Sequence, residues 1–276
     1  MKRTIWVCLL FLCSSVLVAQ DLPREDVQIN RTDKKGMKQG VWKKYYPDGS
    51  PLYEGRFVND RPVGLLRRYY ESGGISAELY YLPDSHTVRA KIYYENGTLA
   101  GEGNYLGTKK DSTWRYYSYY GGYLSQEENY QNGIKEGITR KYYPSGGLSE
   151  ITGWKEGQKN GVWIRYYEDG TVQVRSEYEA GRLNGTYLQY HSNGNLRIRG
   201  MYVGNHREGS WEFFDSLGKP AATIEFLNGV AKNKAALDKT ENAYLDSLDH
   251  FKGRFDDPTL EEIMNLPSSD EGKGGR

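Results

Sequence analysis

The sequence predicts an all-β repeat protein, an elongated and twisted antiparallel sheet of stacked β-hairpins with a C-terminal capping α-helix. Three observations lead to this class: one pattern returns every 24 or 25 residues, a glycine recurs at one position of every copy, and aromatic residues recur at two others. The composition agrees, because hydrophobic residues are only 37 % of the 276 residues, whereas aromatic residues are 14 % and glycine contributes 33. Disordered chains contain few aromatic residues, so the composition favours a thin, turn-rich β structure.

Residues 1–20 have the composition of a secretory signal peptide. Lys2 and Arg3 form the positive start, an apolar stretch runs over residues 5–12, and Ala19 supplies the small residue of a cleavage site. The apolar stretch is too short to span a bilayer, and no later stretch is long enough. The sequence therefore predicts an exported protein, located in the periplasm, at the cell surface or outside the cell.

The two cysteines, Cys8 and Cys13, both lie inside this leader. The mature chain would then hold no thiol, which excludes disulfides, cysteine nucleophiles and thiolate metal sites together. Cys13 could be the lipidated residue of a lipoprotein, but Leu12 stands where that signal requires a small residue. The sequence therefore favours export without a lipid anchor.

Eight copies of the repeat align on the segment from Gly40 to Gly49, and residues 40–232 are assigned to them. With each copy numbered from zero, the opening positions are Gly40, Gly64, Val88, Ser112, Gly137, Gly161, Gly185 and Gly209. Position five is aromatic, position nine is glycine and position seventeen is aromatic in all eight copies, if one inserted residue is allowed in the fourth. Gly36 precedes Gly40 at the spacing of the later joints, so residues 21–39 are assigned to an N-terminal half-repeat or cap.

Each copy is predicted to form one β-hairpin. The first strand covers residues 41–46, the turn carries Asp48 and Gly49, and the second strand covers residues 52–58. Asp-Gly and Asn-Gly pairs favour primed two-residue turns, which match the twist of the strands. Such small hairpins are unstable alone, so their stability must come from stacking on their neighbours.

Strand alternation separates the side chains of each repeat into two faces. Trp42, Tyr46 and their equivalents share one face, and Tyr45 and its equivalents share the other. A two-residue turn would place position six opposite position eleven, which is apolar in six copies from Ile75 to Leu196. This pairing predicts that the face of Trp42 and Tyr46 is the core.

The C-terminal region changes character after the last repeat. Residues 233–265 are predicted to form a helical cap, because Leu237, Tyr244, Leu248 and Phe251 recur at helical spacing. A helix that docks a partner is the alternative to a cap over the last hairpin. Residues 266–276 are predicted to be a disordered tail.

The repeat resembles a known family. The run Tyr53-Glu-Gly-Arg-Phe57, followed by Gly64 and later by Tyr69-Tyr-Glu-Ser-Gly73, is similar to the MORN repeat, and the paired tyrosines resemble the MORN-variant repeat of bacterial YwqK-type, antitoxin-like proteins. The resemblance covers about residues 28–232. The resemblance implies the hairpin-stack fold. Members of the family act as scaffolds, membrane-associated modules or accessories of other domains, so a role of this kind is expected.

No pattern in the sequence indicates catalysis, and no catalytic, cofactor or metal residue is assigned. The four histidines do not have metal-ligand spacing, and neither a nucleophile elbow nor a phosphate loop occurs. Acidic residues recur at position fourteen, from Glu54 to Glu127, and are expected to pair with the bases at position three. The aromatic columns are expected to form the core; they could alternatively be a ligand platform made of Trp42, Tyr46, Tyr70, Trp114, Trp163, Tyr167, Tyr187 and Trp211.

The sequence thus predicts an exported, non-catalytic repeat scaffold that binds an unidentified protein and needs no cofactor. One alternative is a cell-wall or carbohydrate-binding module that uses the aromatic trough, with a glycan or envelope surface as its partner. A second alternative is a toxin-neutralising protein, as the antitoxin label of the family implies. A net charge of +1 gives no basic field, so nucleic acid is not an expected partner.

Overall fold

A computed structural model describes residues 28–83 and 85–232. The predicted leader, the helical cap and the C-terminal tail lie outside these residues. The described part of the chain contains twenty β-strands. The first ten are β1 (Arg31–Thr32), β2 (Lys38–Tyr45), β3 (Pro51–Val58), β4 (Arg61–Tyr69), β5 (Ile75–Tyr81), β6 (Thr87–Tyr93), β7 (Leu99–Leu106), β8 (Lys109–Tyr117), β9 (Leu124–Gln131) and β10 (Ile134–Lys135). The others are β11 (Gly137–Tyr142), β12 (Leu148–Lys155), β13 (Gln158–Tyr166), β14 (Val172–Glu179), β15 (Arg182–Leu183), β16 (Gly185–Tyr190), β17 (Leu196–Val203), β18 (His206–Phe214), β19 (Pro220–Leu227) and β20 (Val230–Ala231).

The strands form one long, open antiparallel sheet in which hairpin follows hairpin in chain order. The short strands β10 and β15 are the first parts of strands that resume, after one residue, as β11 and β16. The all-β, stacked-hairpin class predicted from the repeat is therefore confirmed. The sheet is built locally, because each strand finds its partner within one repeat of the chain.

The turn within each repeat differs from the predicted two-residue form. In the first repeat Tyr46 N donates to Ser50 O at 2.8 Å, and Gly49 N donates to Tyr46 O at 3.0 Å. These bonds close a three-residue loop in which only the glycine, at φ 90°, is left-handed. Position five therefore pairs with position eleven, as Tyr45 does with Pro51, and the predicted pairing of positions six and eleven is wrong.

Primed turns occur instead at joints between repeats. At the first joint Val58 pairs with Arg61, and both residues of the loop, Asn59 and Asp60, have positive φ. Two positive φ angles in a two-residue loop are the mark of the primed turn that matches the strand twist. Equivalent pairs with positive φ are Asn132–Gly133, Glu156–Gly157, Ala180–Gly181, Gly204–Asn205 and Asn228–Gly229.

The opening residue of most repeats lies in a β-bulge. Gly64 has φ 66° where the register between β3 and β4 shifts, and Ser112 keeps φ 60° at the equivalent place although it has a side chain. In the third repeat the opening residue is Val88, whose φ is not positive, and the register between β5 and β6 runs without a shift. The array therefore lacks a bulge at Val88, where the backbone is not left-handed.

The face that carries Trp42 and its equivalents is the core, as predicted, although the predicted turn was wrong. Leu66, Ala90, Trp114, Tyr187 and Trp211, all at position two, are buried. Together with position fifteen of the preceding strands they form one row across the sheet. That row reads Trp42, Gly55, Leu66, Leu79, Ala90, Gly103, Trp114, Glu128, Thr139, Thr152, Trp163, Ser176, Tyr187, Gly200, Trp211 and Ile224.

This central row is apolar at its two ends and polar in the middle. One apolar cluster extends from Phe57 to Tyr130, and a second extends from Val174 to Phe226. Between them lie Thr139 and Thr152, both buried, and the buried Glu128 lies at the end of the first cluster. The sheet is therefore continuous in its hydrogen bonds, whereas its core is divided into two parts.

Candidate functional site

Of the eight residues of the predicted aromatic platform, three are buried in the core. Trp114 and Trp211 are 0 % exposed and Tyr187 is 2 % exposed. The two tryptophan rings lie flat against glycine, because a Cβ on Gly103 or Gly200 would come within 2.5 or 2.3 Å of the indole carbons. These three side chains form core and leave no ring face for a ligand.

The indole N–H groups are also used within the fold. Trp114 Nε1 donates to Asn104 O at 2.8 Å, and Trp211 Nε1 donates to Met201 O at 3.2 Å. Trp42, half-buried, donates to Arg31 O at 3.0 Å. For the two buried tryptophans, the acceptor residue directly follows the glycine that lies against the indole ring. In both places a bulge shifts the strand register.

The tyrosines of the platform join successive repeats. Tyr46 donates its hydroxyl hydrogen to Tyr69 O at 2.9 Å, Tyr70 to Tyr93 O at 2.6 Å and Tyr167 to Tyr190 O at 2.8 Å. Where the column carries His191 in place of tyrosine, its Nε2 lies 3.1 Å from Phe214 O. The hydroxyl of position six therefore bonds the next hairpin, a role that the sequence did not reveal.

The face opposite the core, which we call the open face, carries a ladder of alternating charge. Cross-strand register places Glu54, Glu78, Glu102 and Glu127 between bases of the neighbouring strands, as predicted from the two columns. Lys43 Nζ lies 3.2 Å from Glu54, Arg67 Nε 3.1 Å from Glu78, and Arg115 Nε 2.9 Å from Glu127. Most of these charges are satisfied within the ladder.

Tyrosines of position five complete the ladder. Tyr69 donates to Glu54 at 2.7 Å, and Tyr142 donates to Glu127 at 2.6 Å. These hydrogen bonds are the main reason why the pKa values of Glu54 and Glu127 are lowered. Burial, followed by the bonded carboxylate, raises the pKa of Tyr69 and of Tyr142 to about 12.

Cations cover the edge of the aromatic core. Lys38 Nζ lies 4.8 Å from the ring centre of Trp42, Lys110 Nζ lies 5.3 Å from that of Tyr130, and the Arg207 guanidinium lies 5.1 Å from that of Phe226. Lys110 Nζ also donates to Tyr116 at 2.8 Å, and Lys135 Nζ lies 2.6 Å from the buried Glu128. These cations are held by contacts within the fold, so the core face presents few polar groups to a ligand.

The open face remains accessible along the array. Tyr45, Leu65, Tyr80 and Met201 are 47 %, 37 %, 45 % and 45 % exposed. A shallow groove of about 450 Å³ lies on this face across the second, third and fourth repeats, and its lining includes Leu65, Tyr80, Arg89, Lys91, Asn104 and Thr113. None of these residues is predicted as a site residue from the sequence, although Tyr80 and Arg89 are exceptions in their repeat columns.

One within-repeat turn also differs from the others. The inserted residue of the fourth repeat lengthens its loop, which exposes 82 % of Tyr120 and 43 % of Tyr119. Tyr119 makes edge contacts with Tyr94 and Tyr120, with ring centres 5.1 and 4.9 Å apart. This aromatic loop stands on the turn edge of the sheet, away from the groove.

Two features are absent from the described residues. No group of three or more His, Cys, Asp or Glu side chains is placed to hold a metal ion. Within the same residues there is no helix with the length and apolar character needed to cross a membrane.

Parts of the chain are similar to one known repeat family. The family model of the MORN repeat variant matches residues 38–59, 87–106, 159–180 and 183–203, which together are less than a third of the chain. Four segments of the chain are therefore similar to the MORN repeat variant, and MORN repeats are generally scaffolds that bind proteins or membranes. The narrower resemblance to YwqK-type antitoxin-like proteins stays a prediction.

Comparisons with curated proteins and with solved structures add no information about function. No curated protein matches the chain. A solved structure entitled "Crystal Structure of TcdB2-TccC3-Cdc42" aligns with 77 % of this chain at 14 % identity and a TM-score of 0.17. The alignment spans 17 % of that chain's length, and a TM-score this low is no basis for an argument about fold or function.

Proposed function

We propose that this chain is an exported, non-catalytic scaffold that binds another protein through the open face of its sheet. The observation that carries the proposal is the difference between the two faces. The core face is filled by its own aromatic and cationic side chains, whereas the open face exposes Tyr45, Leu65, Tyr80 and Met201 along the array. Leu65 and Tyr80 line one groove on this face, and a groove that exposes apolar side chains within a polar, charged surface is typical of protein-binding sites.

The regularity of the open face supports a scaffold. Its charges are paired in a ladder, so they provide register and orientation without converging on one reactive point. A long sheet of repeats offers one extended surface whose parts can contact a partner at several places. The MORN-variant matches agree with this interpretation.

Glycan binding through the tryptophan column has less support. Two of its members, Trp114 and Trp211, are fully buried, and Trp42 uses its N–H within the fold. A toxin-neutralising role would be one form of protein binding. It would require a specific partner, and co-expression with that partner would test it.

The test is capture of a partner by the purified full chain from an extract of its native cells. The informative variant carries Leu65→Ser, Tyr80→Ser and Met201→Ser, which change the open face and leave the core intact. The control carries Tyr120→Ser on the turn edge. We expect a protein that the wild type and the control retain and that the triple variant loses. Retention by all three baits, or by none, would contradict the proposal.

Export is part of the same proposal, and it rests on Lys2, Arg3, the apolar residues 5–12 and Ala19. N-terminal sequencing of the protein from native cells tests it. We expect the mature chain to begin close after Ala19 and to be recovered outside the cytoplasm. A chain that begins at Met1 in the cytoplasmic fraction would show that export is wrong.

A further inference from the structure

One pair of residues on the open face departs from the repeat. Position one is apolar or carries a hydroxyl in seven repeats, and Arg89 is the exception. Position sixteen is aromatic in one repeat alone, at Tyr80. The two exceptions are cross-strand partners, because Tyr80 on β5 pairs with Arg89 on β6.

This pairing exists because a bulge is missing. Elsewhere position sixteen faces the residue before the opening position, as Arg56 faces Val63 and Asn104 faces Asp111. Between β5 and β6 the opening residue is Val88, the register does not shift, and position sixteen faces position one. Directly opposed side chains on one face of a sheet lie within contact distance. The unshifted register thus makes Tyr80 and Arg89 cross-strand neighbours on the open face.

Among the described residues, Arg89 has no counter-charge. No hydrogen bond or ion pair joins its side chain to another residue in the described part of the chain. The carboxylates of the groove are engaged, because Glu78 binds Arg67 at 3.1 Å and Glu102 accepts a hydrogen bond from Tyr117 at 2.8 Å. Lys91 lies between these two glutamates in the register. Within the described residues, Arg89 is therefore a cation without a counter-charge in a groove that also holds Leu65 and Tyr80.

We propose that this groove binds an extended segment of a partner protein in which an acidic side chain stands beside an apolar one. The carboxylate bonds to the Arg89 guanidinium, which presents several N–H donors in one plane. The apolar side chain packs on Leu65 and the ring of Tyr80, and the polar groups of Asn104 and Thr113 line the rim. The proposal rests on the proposed function and assigns its binding surface.

The test is a selection of short random peptides displayed on phage against the full chain, followed by affinity measurement with the labelled synthetic winners. The variants are Arg89→Thr and Tyr80→Asn, which install residues that other repeats carry at these positions. Both positions are exposed or half-exposed in the fold, so the variants should fold normally. The control is Arg182→Thr, an exposed arginine at a distant joint.

We expect the selected peptides to be enriched in Asp and Glu. Arg89→Thr should weaken their binding about tenfold or more, Tyr80→Asn should weaken it less, and Arg182→Thr should leave it unchanged. Peptides without acidic enrichment, equal binding to Arg89→Thr, or a selection with no binder would overturn the proposal. Polygalacturonate is the second probe: if it binds through Arg89 and no peptide does, the occupant is an acidic glycan and the proposal is wrong.

The two proposals can fail separately. If a native protein is still captured through the open face while the peptide selection fails, the groove is not its binding site and the scaffold function stands. If the wild-type chain captures no protein, the scaffold function itself is wrong.

Discussion

At the scale of single residues, glycine has two different roles in this protein. Gly49 and its equivalents supply left-handed backbone in the turns, at φ 81–93°. Gly103 and Gly200 have no positive φ and are needed because an indole ring lies directly on them. The second role explains why tryptophan can be fully buried on a sheet that has a single layer.

Gly103→Ala should destabilise the protein by about 1–3 kcal/mol, because the new Cβ would lie 2.5 Å from the ring of Trp114. The matched control is Gly74→Ala, where the nearest atom to the new Cβ is 3.7 Å away and φ is not positive. Urea unfolding of the full chain measures both. Equal stability of the two variants would show that the ring does not press on Gly103.

The carboxylates of the ladder predict a decline in stability at acid pH. A folded pKa below the unfolded value stabilises the fold above the unfolded pKa, and this contribution is lost as pH falls through the folded pKa. The hydroxyl of Tyr142 is the largest cause for Glu127, so Tyr142→Phe should cost about 1 kcal/mol at neutral pH and flatten the decline below pH about 4.5.

Urea unfolding between pH 7 and pH 3 would measure this effect, and Tyr45→Phe serves as the control on an exposed ring. An unchanged slope in Tyr142→Phe would contradict the assigned cause. At alkaline pH the sign is reversed: the pKa of Tyr142 is raised to about 12, so its contribution is complete below pH about 10 and is lost above it.

At the scale of the hairpin, the repeats are joined by side chains as well as by the backbone ladder. The hydroxyl of position six reaches a carbonyl of the next hairpin in five repeats, and His191 lies against the equivalent carbonyl in a sixth. A hairpin that is unstable alone is in this way tied to its neighbour. The paired tyrosines thus have separate tasks, since position six joins repeats and position five serves the charge ladder.

Tyr167→Phe removes the bond to Tyr190 O and keeps the ring, so the free energy of unfolding should fall by about 1 kcal/mol. Tyr45→Phe, in which no hydrogen bond of the described residues is lost, should change it by less than about 0.5 kcal/mol. Thermal or urea unfolding checks both values. A loss in Tyr45→Phe as large as that in Tyr167→Phe would refute the joining role.

At the scale of the whole molecule, the divided core implies two cooperative regions. The apolar clusters at residues 57–130 and 174–226 are separated by the buried Thr139 and Thr152, and the buried Glu128 lies at the end of the first cluster. In a repeat array, stability is the sum of the repeats and of the contacts between neighbours. Polar neighbours couple two regions less strongly than a continuous apolar core does, so each region should respond mainly to its own changes.

Ile224→Ala should lower the stability of the second cluster by about 2–4 kcal/mol. Hydrogen exchange should become faster over residues 174–226, whereas residues 57–114 should keep their protection. Leu79→Ala is the reciprocal variant, with the opposite pattern. An equal rise in exchange over both clusters would mean that the polar section does not separate them.

The periodic sequence was enough to predict the hairpins and their order, because alternation and turn residues act within one repeat. The buried face was predicted correctly, but from a pairing of positions six and eleven that the sheet does not contain. The sequence also predicted the pairing of Lys43 with Glu54, since the two columns lie at matching distances from the turn. Whether glycine forms a primed turn or closes a three-residue loop depends on the backbone angles of the residues before it. The predicted turn was wrong for this reason, and Gly49 alone could not decide it.

Contacts between repeats depend on the strand register that the folded sheet adopts. Tyr46 donates a hydrogen bond to Tyr69 O, and Trp114 donates one to Asn104 O, because the bulges set the register of the strands. Tyr80 pairs with Arg89 because one bulge is absent, so this pairing could not be predicted from the sequence. The repeat pattern specifies which side chains share a face, whereas the bulges of the assembled sheet set which of them touch.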